Sequence, residues 1–320
     1  MSAFPIHWLA NRSEWVGFHL ALLVLLGLEL LYSRWGLSAL APKARAKRQH
    51  RNAVAATVMW VAAALAFAVY VFRTMGGPPA TQFLAGYAIE ESLSIDNLFV
   101  FLLLFRVFRI SPTFQPRVLF WGVLGAILMR GALIAAGLGL LARFQWISYL
   151  FAIILLGASI RLVIPDGGET SKKPPRWIAW ISRIHPVSLR SDVFFAVENG
   201  QRMATMLMLA LIAIETADII FALDSIPAVL SITRNPFLAY TSNILAVMGL
   251  RSLFFLLALM LKQLRFLHYG LAAVLAFAAI KMLTASFYDV GPLLSLGVIV
   301  GILAVTIVVS IAYKKPVTAT

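Results

Sequence analysis

The sequence predicts an all-α, polytopic membrane protein of about nine transmembrane helices, and three observations carry that reading. Hydrophobic residues make up 61% of the 320 positions and the mean hydropathy is +0.90, against about 45–50% apolar residues in an ordinary soluble domain. Charged residues are only 12% of the chain. Apolar runs of about 20 residues, the length that spans a bilayer as a helix, can be placed near 15–34, 53–73, 80–105, 117–141, 144–164, 203–230, 236–261, 267–287 and 293–313.

Each span is justified by its flanks. The first follows fourteen mixed residues, passes Glu29 and meets the basic stretch Lys43 to Arg48 without a small-residue cleavage signature, so it reads as a retained helix and not a signal peptide. The net charge of +14 comes from 27 Lys and Arg against 13 Asp and Glu. Those bases follow the odd spans: Arg34 to Arg51, then Arg106, Arg109 and Arg117, then Lys172 to Arg202, then Lys262 and Arg265, then Lys314 and Lys315. That alternation is the positive-inside pattern and not a nucleic-acid-binding face. It implies a multi-pass protein of the cell inner membrane, N-terminus outside and C-terminus cytoplasmic.

The chain is expected to divide into an N-terminal two-helix segment (1–79), a three-helix repeat (80–164), a cytoplasmic connection (165–202), a second three-helix repeat (203–287) and a C-terminal helix and tail (288–320). The connection carries an amphipathic-looking Trp177 to Ile181 segment suited to the headgroup level. The repeat shows when the acidic segments are overlaid. Glu90 precedes Asp96-Asn97 by six residues, as Asp218 precedes Asp224-Ser225; Leu128-Met129-Arg130-Gly131 resembles Gly249-Leu250-Arg251-Ser252; and Tyr149 precedes Arg161 by twelve, as Tyr269 precedes Lys281. Three spans per copy force the second copy to enter from the opposite side, an inverted 3+3 repeat with its site expected at the midplane between the copies.

Chemistry is concentrated in Glu90 to Asn97 and Glu215 to Pro227, where carboxylates lie inside segments otherwise fit to span. A charge at the bilayer centre costs about 2.5–3.5 kcal/mol on insertion scales, so these acids need a cation, a proton or a basic partner. Three intramembrane bases, Arg130, Arg251 and Lys281, cannot neutralise Glu90, Glu91, Asp96, Glu215, Asp218 and Asp224, and six minus three leaves about minus three. With no cysteine and with all five histidines outside the acidic segments, a metal site here must be built mainly from oxygen. Glu90, Asp96, Asn97, Glu215, Asp218, Asp224 and Ser225 offer the oxygen set of a hard divalent ion: manganese, magnesium or calcium.

Glu215 and Asp218 share a helix face, whereas a spacing of six leaves side chains about 120° apart. A straight helix therefore cannot aim all the acids at one point. Pro227 denies a hydrogen bond to the carbonyl of Leu223, either freeing it as a ligand in a broken helix or merely kinking the span. Glu91 must point away from Glu90 and is expected at the periphery. Glu29 has no counterpart in a repeat and reads as a helix-contact or interfacial acid, and His19 as a packed polar residue. Met203, Met206 and Met208 open the sixth span and read as packing residues. No Ser-His, Cys-His or His-Glu-x-x-His arrangement is present, so an enzyme is not expected.

Glu90 to Phe101 and Glu215 to Thr233, with Ser242-Asn243 and Gly249 to Leu253 beyond them, resemble the signatures of the TerC family, over about residues 53–290. The length and nine spans are similar to its Alx-type bacterial members. The resemblance implies an inner-membrane or thylakoid location, a place in a wider superfamily of small-solute exporters, and a part in manganese export or tellurium resistance. It also implies Glu90, Asp96, Asp218 and Asp224 as the acidic heart of the pathway, with Asn97, Ser225 and Asn243 beside them. Family members often have a non-acidic residue where this chain has Glu91. The expected activity is export of a divalent cation, Mn2+ first, by alternating access and with protons returning. No tightly bound cofactor and no nucleic acid are expected, the lipid bilayer is the partner, and the oligomeric state stays open. The rival is a non-transporting membrane scaffold or stress-resistance factor whose acids fasten helices.

Overall fold

In a computed structural model, residues 12–34, 42–136, 145–163, 187–198, 200–233, 235–261, 266–285, 287–288 and 290–312 are described. Among them are nine helices: α1 (Arg12–Arg34), α2 (Pro42–Met75), α3 (Gly77–Val107), α4 (Gln115–Ala136), α5 (Gln145–Val163), α6 (Met206–Ile232), α7 (Pro236–Leu261), α8 (Leu267–Thr284) and α9 (Pro292–Ala312). Helix is the form that satisfies every backbone polar group within one segment, which a lipid surround demands. Five of these helices, α1, α2, α4, α6 and α7, are by length and composition able to cross a membrane, and α5, α8 and α9 contribute shorter apolar stretches. Helix α3 carries Glu90, Glu91 and Asp96 within its 31 residues.

Two elements depart from the sequence expectation. Helix α2 does not begin near 53 but at Pro42, so its 34 residues extend about 51 Å at 1.5 Å each, well beyond a hydrocarbon core of roughly 30 Å. The basic stretch therefore belongs to the first turns of the helix and not to a loop. The connection before α6 is not all irregular either: β1 (Val187–Ser188), β2 (Phe195–Glu198) and β3 (Gln201–Thr205) form a small sheet in the order β1-β3-β2. Met203 lies in β3 and not in the sixth span, which starts at Met206. Strands β2 and β3 are antiparallel with Glu198 opposite Gln201, and Gly200 has a φ of 76°, a conformation glycine adopts without steric cost. Exposed Arg190 grips Asp192 through both carboxylate oxygens at 3.0 and 2.7 Å. Those hydrogen bonds hold the Asp192 carboxyl below its ordinary pKa range. Arg117, at the start of α4, donates to the Asp192 carbonyl at 3.0 Å.

The chain divides into two units. The first contains α1, α2, α3 up to Ser94, the end of α4 from Arg130, α6 from Asp224, and α7. Here α2 packs along α7, with Trp60, Phe83, Leu238, Ile244 and Met248 fully buried. The second contains α3 from Ile95, α4 to Met129, α5, the sheet, α6 to Leu223, α8 and α9. Its core joins Val100 and Leu103 of α3, Ala152 and Leu155 of α5, Ala217, Ile220 and Phe221 of α6, and Leu275, Ala279 and Met282 of α8. Helix α5 packs along α8 through small residues, and the Ser159 hydroxyl donates to the Ala272 carbonyl at 2.8 Å, the close approach that drives helix association in lipid. Large apolar side chains such as Leu20, Leu31, Val58, Leu128, Ile153 and Val305 are exposed, as lipid-facing residues are.

Candidate functional site

In the first unit, Glu90 of α3 is almost fully buried, and both its carboxylate oxygens are taken. Arg130 donates to Oε1, and the Asn243 amide donates to Oε2 at 2.9 Å. Arg130 also donates to the Asn243 Oδ1 at 2.8 Å, so the three side chains close a triangle. Each element supplies one corner: α3 the acid, α4 the base, α7 the amide. Close packing sets the triangle, because Gly86 lies against Ser242 and Val229, and Gly131 against the Tyr240 ring; a Cβ at Gly131 would stand 3.2 Å from that ring.

Arg251, the counterpart of Arg130 in the sequence repeat, has a different partner. Its guanidinium meets Glu29 of α1 at 2.6 Å, and the Trp60 indole N–H donates to the other Glu29 oxygen at 3.0 Å. Glu29 thus joins α1, α2 and α7, the helix contact expected of it. Farther along α1, the His19 Nδ1 donates to the Trp15 carbonyl at 2.8 Å and Nε2 lies 2.9 Å from the Tyr240 hydroxyl, inside a cluster with Phe18, Phe67 and Phe237. Glu91 is half-buried near Gly249, and its Oε2 has no hydrogen-bond partner. Ser94 and Ser225 are buried with unpartnered hydroxyls. Asp224 has its backbone within α6, and its side chain lies outside the described residues. The helix runs through Pro227 without interruption, so the broken form is not present, although the Leu223 carbonyl still lacks its usual donor.

In the second unit, Asp96 of α3 is buried with Lys281 of α8 at 3.5 Å from Oδ2, while its Oδ1 has no partner. Lys281 donates to the Ser295 hydroxyl of α9 at 3.0 Å. Asn97 is buried with its Oδ1 unpartnered. Asp218 is buried, and Glu215, one turn earlier on α6, places its carboxylate in the space left by the missing side chain of Gly125 on α4. Among the described residues, no three His, Asp or Glu side chains converge closely enough to hold one metal ion.

Sequence reasoning named the acids and bases but missed Ser295, Trp60 and Gly125. Their residue types carry no signal of chemistry, and only the fold gives them a partner. The sheet did leave one: Asn199-Gly200 beside the alternating Phe195 to Glu198 is a strong hairpin signal.

The family model described as "Integral membrane protein TerC family" matches residues 75–318. The chain belongs to the TerC family. Among TerC relatives, an uncharacterized membrane protein of Myxococcus xanthus is 40% identical over 98% of this chain and 96% of its own length. A protein of Escherichia coli K12, whose name proposes a membrane-bound redox modulator, Alx, is 39% identical over 92% of this chain and 93% of its own. The chloroplast thylakoid membrane protein TERC of Arabidopsis thaliana is 36% identical over 83% of this chain and 70% of its own. No solved structure matches. TerC membership and the apolar helices together make this a multi-pass membrane protein.

Proposed function

We propose that this chain exports divalent cations, manganese(II) first, across the cell inner membrane by alternating access at a midplane carboxylate site. One observation carries the reading. Buried oxygens without hydrogen-bond partners gather on the two acidic motifs: Glu91 Oε2, Ser94 Oγ, Asp96 Oδ1 and Asn97 Oδ1 on α3, and Ser225 Oγ on α6. Leaving such a group unpaired costs about 1–3 kcal/mol, and more for a charged one. Only Asn52 and Ser148 show the same condition elsewhere among the described residues. Carboxylate and amide oxygens are what a hard cation recruits, and the lone pairs of a hydroxyl can add to them.

The inverted repeat belongs to the same proposal and rests on the sequence overlay of the two acidic motifs and of Arg130 with Arg251. The cycle we propose takes metal from the cytoplasm onto ionised carboxylates, rocks the repeats, and releases it outside as protons return.

Inverted vesicles given a pH gradient, acid inside, are expected to accumulate manganese, and Asp224→Asn to abolish that uptake. Undiminished uptake by the variant removes Asp224 from the pathway, and no uptake by the parent removes the exporter. A scaffold reading draws on the Glu90–Arg130–Asn243 and Glu29–Arg251 contacts, which fasten helices without any ion. Manganese-dependent protection of the acids from carbodiimide separates the two, since a scaffold gives none. The redox role in the Escherichia coli relative's name cannot run here on a thiol pair, because this chain has no cysteine.

A further inference from the structure

We propose that Lys281 is a tethered counter-cation: it neutralises Asp96 when no transported ion does, and withdraws to Ser295 when one arrives. The inference rests on the export reading and deepens it. Asp96 and Lys281 lie on different helices, α3 and α8, and both side chains are mostly enclosed, at 8% and 18% exposure. Their separation of 3.5 Å is longer than a charge-assisted hydrogen bond of about 2.7–2.9 Å, whereas Lys281 sits at 3.0 Å from the Ser295 hydroxyl. The ammonium is therefore held more closely by the neutral oxygen, and the Ser295 hydroxyl in turn hydrogen-bonds the Asp96 carboxylate, so the three side chains form one cluster.

Residue type matters here. A lysine carries a compact point charge on a flexible four-carbon stem with three rotatable donors, while arginine presents a fixed fork. In the first unit Arg130 is locked onto both Glu90 and Asn243. Lys281 is within reach of one carboxylate oxygen and one hydroxyl of the same cluster, and Asp96 Oδ1 has no hydrogen-bond partner, so an arriving cation can take Oδ1 while the ammonium loosens its hold on Oδ2 and keeps the hydroxyl. Ser295 comes from α9, outside both three-helix copies, so this resting place belongs to one half of the repeat alone.

A carrier that must return empty needs its acids neutralised on the way back. Lys281 supplies one such charge without leaving the protein. Replacing it then separates two modes of transport: exchange of metal for metal never needs an empty return, and net efflux always does.

The test uses the full chain in proteoliposomes with radiolabelled manganese. Lys281→Gln is expected to keep manganese-for-manganese exchange, with half-saturation at lower manganese, and to lose net efflux by about an order of magnitude, the weight of one hydrogen bond to a charged group. A parent protein that moves manganese in neither mode sinks the exporter reading itself. A parent that transports, with Lys281→Gln keeping the parental ratio of net efflux to exchange, overturns only the role of Lys281. If Lys281→Gln is inert in both modes, Ser295→Ala decides. Removing the resting place raises half-saturating manganese severalfold at an unchanged maximal exchange rate, and an unchanged half-saturation overturns the proposal.

Discussion

At Gly125 one missing methyl group decides where a carboxylate can be. The Glu215 side chain fills the space over the Gly125 backbone, and a Cβ there would overlap the carboxylate. In an ordinary helix interior, Gly→Ala gains about 1 kcal/mol. Here the Cβ meets the carboxylate end of a flexible, half-buried side chain, so Gly125→Ala displaces that carboxylate and the gain is cut below about 1 kcal/mol. The melting temperature in detergent should therefore rise less for Gly125→Ala alone than for Gly125→Ala in a Glu215→Ala background, a coupling that a double-mutant cycle reads directly. Strict additivity of the two substitutions would show that Glu215 is elsewhere. The contrast with Glu90 is instructive, since that acid has both oxygens satisfied by side chains.

Among the elements, α1 is fastened by charge where lipid-facing helices are held mainly by packing. Glu29 and Arg251 are both buried and face each other, with Trp60 completing the carboxylate. Removing one member of a buried pair leaves the other uncompensated and costs about 3–5 kcal/mol, whereas replacing both by apolar residues of similar volume is near neutral. Glu29→Ala should accordingly melt well below the parent, and Glu29→Leu with Arg251→Met close to it. A Glu29→Ala variant with parental melting would mean the pair is incidental. The all-helical, membrane-spanning character was legible because an apolar run of spanning length is a property of composition. The reach of α2 to Pro42 was not, because hydropathy marks where a helix enters lipid and is silent on how far it continues in water. Repeat symmetry made Arg251 a partner for the motif acids, yet it is taken by Glu29, which lies outside the repeat. The acids of the candidate site could be named from their cost in lipid. Ser295 could not, for a serine in an apolar span costs little and acquires meaning only beside Lys281.

For the whole molecule, the direction of the proposed transport depends on which way the chain is inserted. The connections after α1, α3, α5, α7 and α9 carry the excess of Lys and Arg, and the even connections are poor in them. Near the spans, such a bias sets orientation because basic residues resist translocation, while Asp and Glu contribute little. The expectation is that all five basic connections face the cytoplasm, together with the C-terminus, which follows Lys314 and Lys315. A fluorescent protein fused after Thr320 is expected to fluoresce, and an alkaline phosphatase fused there to stay inactive, because the first matures in the cytoplasm and the second needs the disulfide-forming exterior. The reverse pair of results would turn the protein over, and with it the side from which the proposed pathway would load Asp96 and Asp224. The proposed export would then become uptake with every residue contact unchanged.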